Sequence, residues 1–159
     1  DTRIKKMLNG EFDGLVMAAA GIERLNLNNH ITEYFNHDIF LNAPGQGAIA
    51  VEHSVNNHTA EEIVKKINDN NSMLCVNHER NFMKAMGGGC NYPIGAYSYF
   101  DGENLNLEGI VLSLDGKQHI REHVSTKNFN NDLSKELAEK FFKKNVDQII
   151  NKIDSEINK

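Results

Sequence analysis

Two Asp-Gly pairs, at 101–102 and 115–116, constrain the fold of this chain more than any other feature. Each lies between runs of alternating apolar and polar residues, and Asp-Gly in that setting is a strong signal for a tight antiparallel turn. They predict strands at about 92–100, 104–114 and 118–126, joined in order. Helical spacing frames them. "NSMLCVNHERNFMKAM" reads as a helix with Ser72 as N-cap, ended by Gly87. Leu133, Leu137, Phe141, Val146, Ile149, Ile150 and Ile153 recur as the stripe of one long amphipathic helix. Residues 69–159 are therefore predicted as helix, three-stranded antiparallel sheet, helix: a compact α+β unit.

The upstream part has a different pattern. Residues 2–9 read as the end of a helix closed by Gly10, "FDGLVMAAAG" as a buried strand, and "GIERLNL" as a short helix, which together suggest an α/β layer. Residues 39–41 and 48–51 are extended apolar pieces flanking a Pro-Gly turn, as in a chain crossing between units. "TAEEIVKKI" follows as a helix, with Thr59 and Glu62 as a capping box and Ile63 and Ile67 on one face. No internal repeat or low-complexity linker stands out.

Composition excludes several function classes. The chain has 159 residues, 40% hydrophobic and 25% charged, enough for one ordinary domain or two small ones. Its longest apolar run, residues 15–22, is far short of the roughly 20 residues a membrane span needs, and "DTRIKKMLNG" has no signal-peptide hydrophobic region. A net charge of −5 argues against nucleic acid as a partner. The two cysteines, Cys75 and Cys90, read as reduced thiols in a cytoplasmic protein. The arginines are Arg3, Arg24, Arg80 and Arg121, in a sequence that otherwise prefers lysine. Each therefore invites a reason, because a guanidinium offers carboxylates a bidentate fork that lysine cannot.

The candidate chemistry centres on "GGGCNYPIG", residues 87–95. A phosphate loop would need a Gly-Lys-Ser/Thr ending before a helix, and here the glycines follow one. Zinc would need more Cys or His nearby, and a redox pair would need Cys-x-x-Cys. A single thiol on a permissive loop remains, with a functional and a buried structural reading both open. Cys75, within an amphipathic helix, reads as a small core residue. "GQG" at 45–47 is followed by a strand, so it is no dinucleotide fingerprint. "AAAG" at 18–21 fits close strand packing, and equally an anion site ahead of a helix, with Arg24 just beyond.

Taken together, "DTRIKKMLNGEFDGLVMAAAGIERLNL", "APGQGAIAVE", "ERNFMKAMGGGCNYPIGAY" and "LEGIVLSLDG" resemble the porphobilinogen deaminases, or hydroxymethylbilane synthases, in order along nearly the whole chain. The resemblance implies a transferase that polymerises four porphobilinogens head to tail, with loss of ammonia, into hydroxymethylbilane for tetrapyrrole and haem biosynthesis. It implies that Cys90 carries a covalent dipyrromethane cofactor as a thioether, and that Arg3 and Gly21 bind that cofactor. Arg24 and Gln46 would lie on the substrate side, along the growing pyrrole chain, and Arg80 would be structural. No metal is implied.

The family has three domains, and this chain matches only from partway through the second. By resemblance, residues 1–41 finish domain 2, the end of a periplasmic-binding-protein-like α/β domain. Residues 42–68 cross back to domain 1, and residues 69–159 form domain 3. The N-terminal domain, with its catalytic aspartate, would be a missing partner, on the same polypeptide or a separate chain. No catalytic residue is then expected in this portion, which would be inactive alone. Neither nucleic acid nor membrane is an expected partner, and "GAIAVE" is expected to leave Ile49 and Val51 exposed for want of a sheet. Two other readings are a non-catalytic small-molecule binding module and a thiol redox sensor using Cys90.

Overall fold

The computed structural model describes residues 2–88 and 92–157, and the chain divides into two compact units, Asp1–Ile39 and Phe40–Lys159. In the first, α1 (Thr2–Leu8) buries Ile4, and α2 (Ala19–Arg24) buries Ile22. Both helices end in the same way. Gly10 (φ 81°) follows α1, and its N–H donates to Met7 O while that of Glu11 donates to Lys6 O. Asn26 (φ 55°) follows α2, its N–H donating to Glu23 O and that of Leu27 to Ile22 O. This is the Schellman ending, which needs a left-handed residue that glycine or asparagine supplies most easily. A 3-10 turn at Asn28–His30 follows, and the Tyr34 hydroxyl donates to Glu23 Oε1 at 3.1 Å.

The strand predicted across "FDGLVMAAAG" does not form. Residues 11–18 carry no ladder, and Phe12 and Val16 are exposed. Alternation favours a strand only where a neighbouring strand takes its N–H and C=O groups, and among the described residues of this unit there is none.

The second unit holds the sheet. Helix α3 spans His58–Ile67 and α4 spans Asn70–Ala85. Their N-caps differ from the predicted ones. Asn57 caps α3 by accepting from Ala60 N–H at 3.0 Å, and Glu62, expected in a capping box, pairs instead with Lys65. Asp69 caps α4 by accepting from Ser72 N–H at 2.6 Å. In both cases an Asn or Asp just upstream outcompetes a hydroxyl residue, as their cap preferences allow.

Strands β1 (Ile94–Asp101), β2 (Asn104–Leu112) and β3 (His119–Thr126) form an antiparallel sheet in that order. The β1–β2 pairing runs from Ile94 opposite Val111 to Asp101 opposite Asn104. That leaves a two-residue turn whose first residue, Gly102, has φ 57°. The second connection is longer. Ser113 N–H donates to Gln118 O at 2.8 Å, and Asp115 accepts from the Ser113 hydroxyl and from Lys117 N–H.

Helix α4 and helices α5 (Leu133–Lys143) and α6 (Val146–Ile157) cover this sheet. Phe82, Leu105, Leu107, Leu133, Leu137, Phe141 and Ile153 are fully buried among them. The Phe82 and Phe141 rings pack tilted, with centroids 4.9 Å apart. A Cβ on Gly109 would stand 2.6 Å from the Phe82 ring, so the glycine is what lets α4 come down onto the sheet.

The single C-terminal helix predicted from the stripe is two helices. Asn145, with φ 59°, breaks it. Leu133, Leu137 and Phe141 recur every four residues, and continuing that stripe would bury Lys144 or Asn145. Turning the chain at Asn145 lets Val146, Ile149 and Ile153 face the core instead.

His78 on α4 is buried, and its Nε2 has no hydrogen-bond partner among the described residues. Burial lowers its pKa, opposed in part by Asp132, the N-cap of α5. The unfolded chain takes up this proton near a pKa of about 6.5 and the folded chain only at lower pH, so stability is lost as pH falls below that value. His78→Gln should flatten this loss. Between about pH 7.5 and 5.5 its melting temperature should fall less than that of the wild type, and parallel falls in the two proteins would remove His78 from the explanation.

Candidate functional site

Helix α4 leads into the cysteine loop, and its end is built like those of α1 and α2. Gly87, with φ 70°, follows the C-cap Met86. Gly87 N–H donates to Lys84 O and Gly88 N–H to Met83 O, each at 3.1 Å. Two glycines have two separate jobs here. Gly87 supplies the left-handed turn. A Cβ on Gly88 would stand 2.5 Å from Ile94 Cδ1, so Gly88 is bare because the first residue of β1 packs on it.

The chain is equally fixed where it resumes. The Tyr92 hydroxyl donates to Asp154 on α6, and Pro93 O accepts from Leu112 N–H at 3.1 Å, extending the ladder. The described residues on both sides of 89–91 are thus pinned. Cys90, the predicted cofactor residue, lies outside the described residues.

The "APGQG" segment is attached to the same helix by a residue the sequence reading did not single out. Glu79 is 7% exposed. Its Oε2 accepts from Gly45 N–H at 2.7 Å and its Oε1 from Ser98 N–H at 2.8 Å. Burial pushes the Glu79 carboxyl above its usual pKa, while the two N–H donors pull it back. One side chain thereby joins α4, β1 and the turn at 44–47. Asn42 O accepts from Ala96 N–H at 3.0 Å alongside, and Gly95 lacks a Cβ that would meet Leu41 at 2.9 Å. The only sequence signal for Glu79 was a carboxylate among the core positions of a helix, since charged residues are rarely buried without partners.

The other predicted residues fall as follows. Gln46 is exposed in the turn, between Gly45 (φ 76°) and Gly47 (φ 87°). Arg3 in α1 and Arg24 in the last turn of α2 are exposed, and neither has a carboxylate partner among the described residues. Gly21 lies within α2, where a Cβ would meet nothing within 4 Å, so packing does not demand a glycine there. Unit 1 therefore carries Arg3, Gly21 and Arg24, and unit 2 carries Gln46 and both stems of the cysteine loop. Cys75 is half-buried on α4, and burial pushes its thiol pKa up, the opposite of a reactive cysteine. Among the described residues no cluster of His, Cys, Asp and Glu could hold a metal, and no helix is long and apolar enough to cross a membrane.

Residues 73–143 match the family model of the porphobilinogen deaminase C-terminal domain. Residues 1–62 match that family's dipyrromethane cofactor binding domain. The chain belongs to the porphobilinogen deaminase family. Curated porphobilinogen deaminases from Chlorobium phaeovibrioides and Chlorobium limicola are 36% and 37% identical to it over 158 residues, covering 96% of this chain and 50% of each relative. That of Chlorobaculum parvum is 40% identical over 126 residues, 79% of this chain and 40% of the relative. The chain spans about half the length of the curated porphobilinogen deaminases it matches.

Glu79→Ala should separate anchoring from core packing. It removes two acceptors from amides in a dry site, each worth about 1–3 kcal/mol when left unpaired. Gly45 can regain water if its turn lifts, so a net loss of about 1–3 kcal/mol, chiefly from Ser98, is expected in urea unfolding. A loss below about 0.5 kcal/mol, the usual range of a surface substitution, would contradict the role given to Glu79.

Proposed function

We propose that this chain is the cofactor-bearing portion of a hydroxymethylbilane synthase. That enzyme is a cytoplasmic transferase of tetrapyrrole and haem biosynthesis that joins four porphobilinogens head to tail, with loss of ammonia. The observation that carries the reading is the pair of pinned positions, Gly87–Gly88 and Tyr92–Pro93, that bracket Cys90 in the sequence.

In this reading Cys90 holds dipyrromethane through a thioether. A thiolate is the nucleophile such a bond requires, and the elevated thiol pKa of Cys75 leaves that residue a poor second candidate. Arg3 and Arg24 bind the acetate and propionate groups of cofactor and substrate. Their exposure and lack of carboxylate partners among the described residues support this, because a polyanionic chain needs uncommitted cations. Gly21 lets backbone come close to the cofactor, and Gln46 approaches the growing chain from a turn whose neighbouring amide Glu79 holds. When bound, dipyrromethane supplies the pyrrole to which the first substrate is joined. The proton transfers are assigned to residues of the remaining half, so this portion alone is inactive.

The domain division proposed is 1–41 for the end of domain 2, 42–68 for the crossover to domain 1 and 69–159 for domain 3. Exposed apolar side chains along the crossover support it. Ile49 is 90% exposed, Val51 53%, Ile63 58% and Ile67 63%. Burying such a set needs a further layer, and the remaining half of the protein would supply it.

Peptide mass analysis of the enzyme assembled with that half tests the reading. A dipyrromethane increment is expected on the Cys90 peptide and not on the Cys75 peptide, lost in Cys90→Ala and retained in Cys75→Ala. Oxygen or disulfide increments on Cys90 would point to a redox sensor. An unmodified Cys90 in a protein that binds pyrroles reversibly would point to a binding module.

A further inference from the structure

The outward face of α4 carries a group of residues that the proposed function does not use. Val76, Asn77, Arg80, Asn81, Met83 and Lys84 line an open depression that ends at Gly88. Their spacing of three and four places them on one face, opposite the buried His78, Glu79 and Phe82. Arg80 is exposed, but its stem is placed: a Cβ on Gly45 would touch Arg80 Cγ and Cδ at 3.9 Å and Val76 at 3.7 Å. Glu79 holds Gly45 itself, so the turn at 44–47 forms a wall for the Arg80 stem.

Neither Arg80 nor Lys84 is paired with a carboxylate among the described residues. Some other cations of the same unit are paired, Lys65 with Glu61 and Glu62, Arg121 with Glu108, Lys127 with Glu103 and Lys144 with Glu122. Arg80 and Lys84 stand one turn apart on the lining of one depression, flanked by the amides of Asn77 and Asn81.

We propose that Arg80 and Lys84 form a carboxylate-binding subsite for the acidic side chains of the pyrrole chain. The subsite adds to Arg3 and Arg24 and rests on the reading of Cys90 given above. Two groups one helical turn apart stand about 5–6 Å from each other at Cβ, a spacing suited to the acetate and propionate on adjacent carbons of one ring. The guanidinium fork takes one carboxylate in bidentate fashion and the ammonium takes the other. Asn77 and Asn81 supply neutral donors at the edge. Gly88, on the lining of the depression, lies two residues before Cys90 in the sequence, so the subsite is close along the chain to the residue that would carry the cofactor.

The test uses the complete enzyme with porphobilinogen as the probe, comparing wild type, the double variant Arg80→Met/Lys84→Met, and Arg80→Lys. Methionine keeps the stem that packs by Gly45 and removes the charge. In the double variant the dipyrromethane mass on Cys90 and the melting temperature should be unchanged. Its KM for porphobilinogen should rise on the order of tenfold or more, the effect of losing charge-assisted hydrogen bonds, with pyrrole intermediates accumulating at altered lengths in intact mass spectra. Arg80→Lys should recover part of this, since it restores the charge without the fork. An unchanged KM and intermediate ladder, with cofactor present, would overturn the subsite while leaving the proposed function intact. So would a lowered melting temperature with unchanged KM, which would make Arg80 and Lys84 contacts to another part of the enzyme. Absence of pyrrole mass on wild-type Cys90 would overturn both.

Discussion

The contact on which the larger unit depends is the Phe82 ring lying on Gly109. A side chain at 109 would occupy the space of that ring, so α4 can approach the sheet only because β2 has a gap in its side-chain row. With Phe82 seated, Phe141 of α5 packs against it, and Leu137 reaches the same bare patch. Close-packed interiors tolerate little displacement. The position of α4 along its axis is therefore set by a ring and a missing Cβ, and everything α4 carries is set with it.

What α4 carries explains the site. One face, through Glu79, takes the amides of Gly45 and Ser98 and so fixes the turn before β1 against the strand itself. Its C-terminal end hands the chain to Gly87 and Gly88, whose hydrogen bonds stop the helix without any side chain. The chain returns through Tyr92 and Pro93 onto α6 and the sheet. The buried carboxylate is costly to desolvate and is retained because two N–H donors satisfy it.

Much of this was legible in the sequence because it is local. Asp-Gly turns, alternating strands, and glycines after Leu8 and Met86 announce themselves within a few residues, and the structure has them. Other features depend on competition or on distant partners. The true N-caps, Asn57 and Asp69, lay beside equally plausible hydroxyl residues. The break at Asn145 is visible only as a five-residue step from Phe141 to Val146, which a count of apolar positions passes over. "FDGLVMAAAG" reads as a strand by composition but finds no neighbour to pair with here. Glu79 has no local mark either, since nothing in "HERNF" says which of its charged residues turns inward. The site residues of the smaller unit, Arg3, Gly21 and Arg24, were reached through family resemblance, and no local pattern marks them.

The central claim is that Glu79 ties the 44–47 turn and β1 to the helix that leads into the cysteine loop. Amide hydrogen exchange at Gly45 measures it directly, because that N–H belongs to no helix or strand and its partner is Glu79 Oε2. Gly45 should be protected in the wild type at a level similar to Ser98, and should lose that protection in Glu79→Ala while amides in β2 keep theirs. Unprotected exchange at Gly45 in the wild type, or equal protection in the two proteins, would contradict the account.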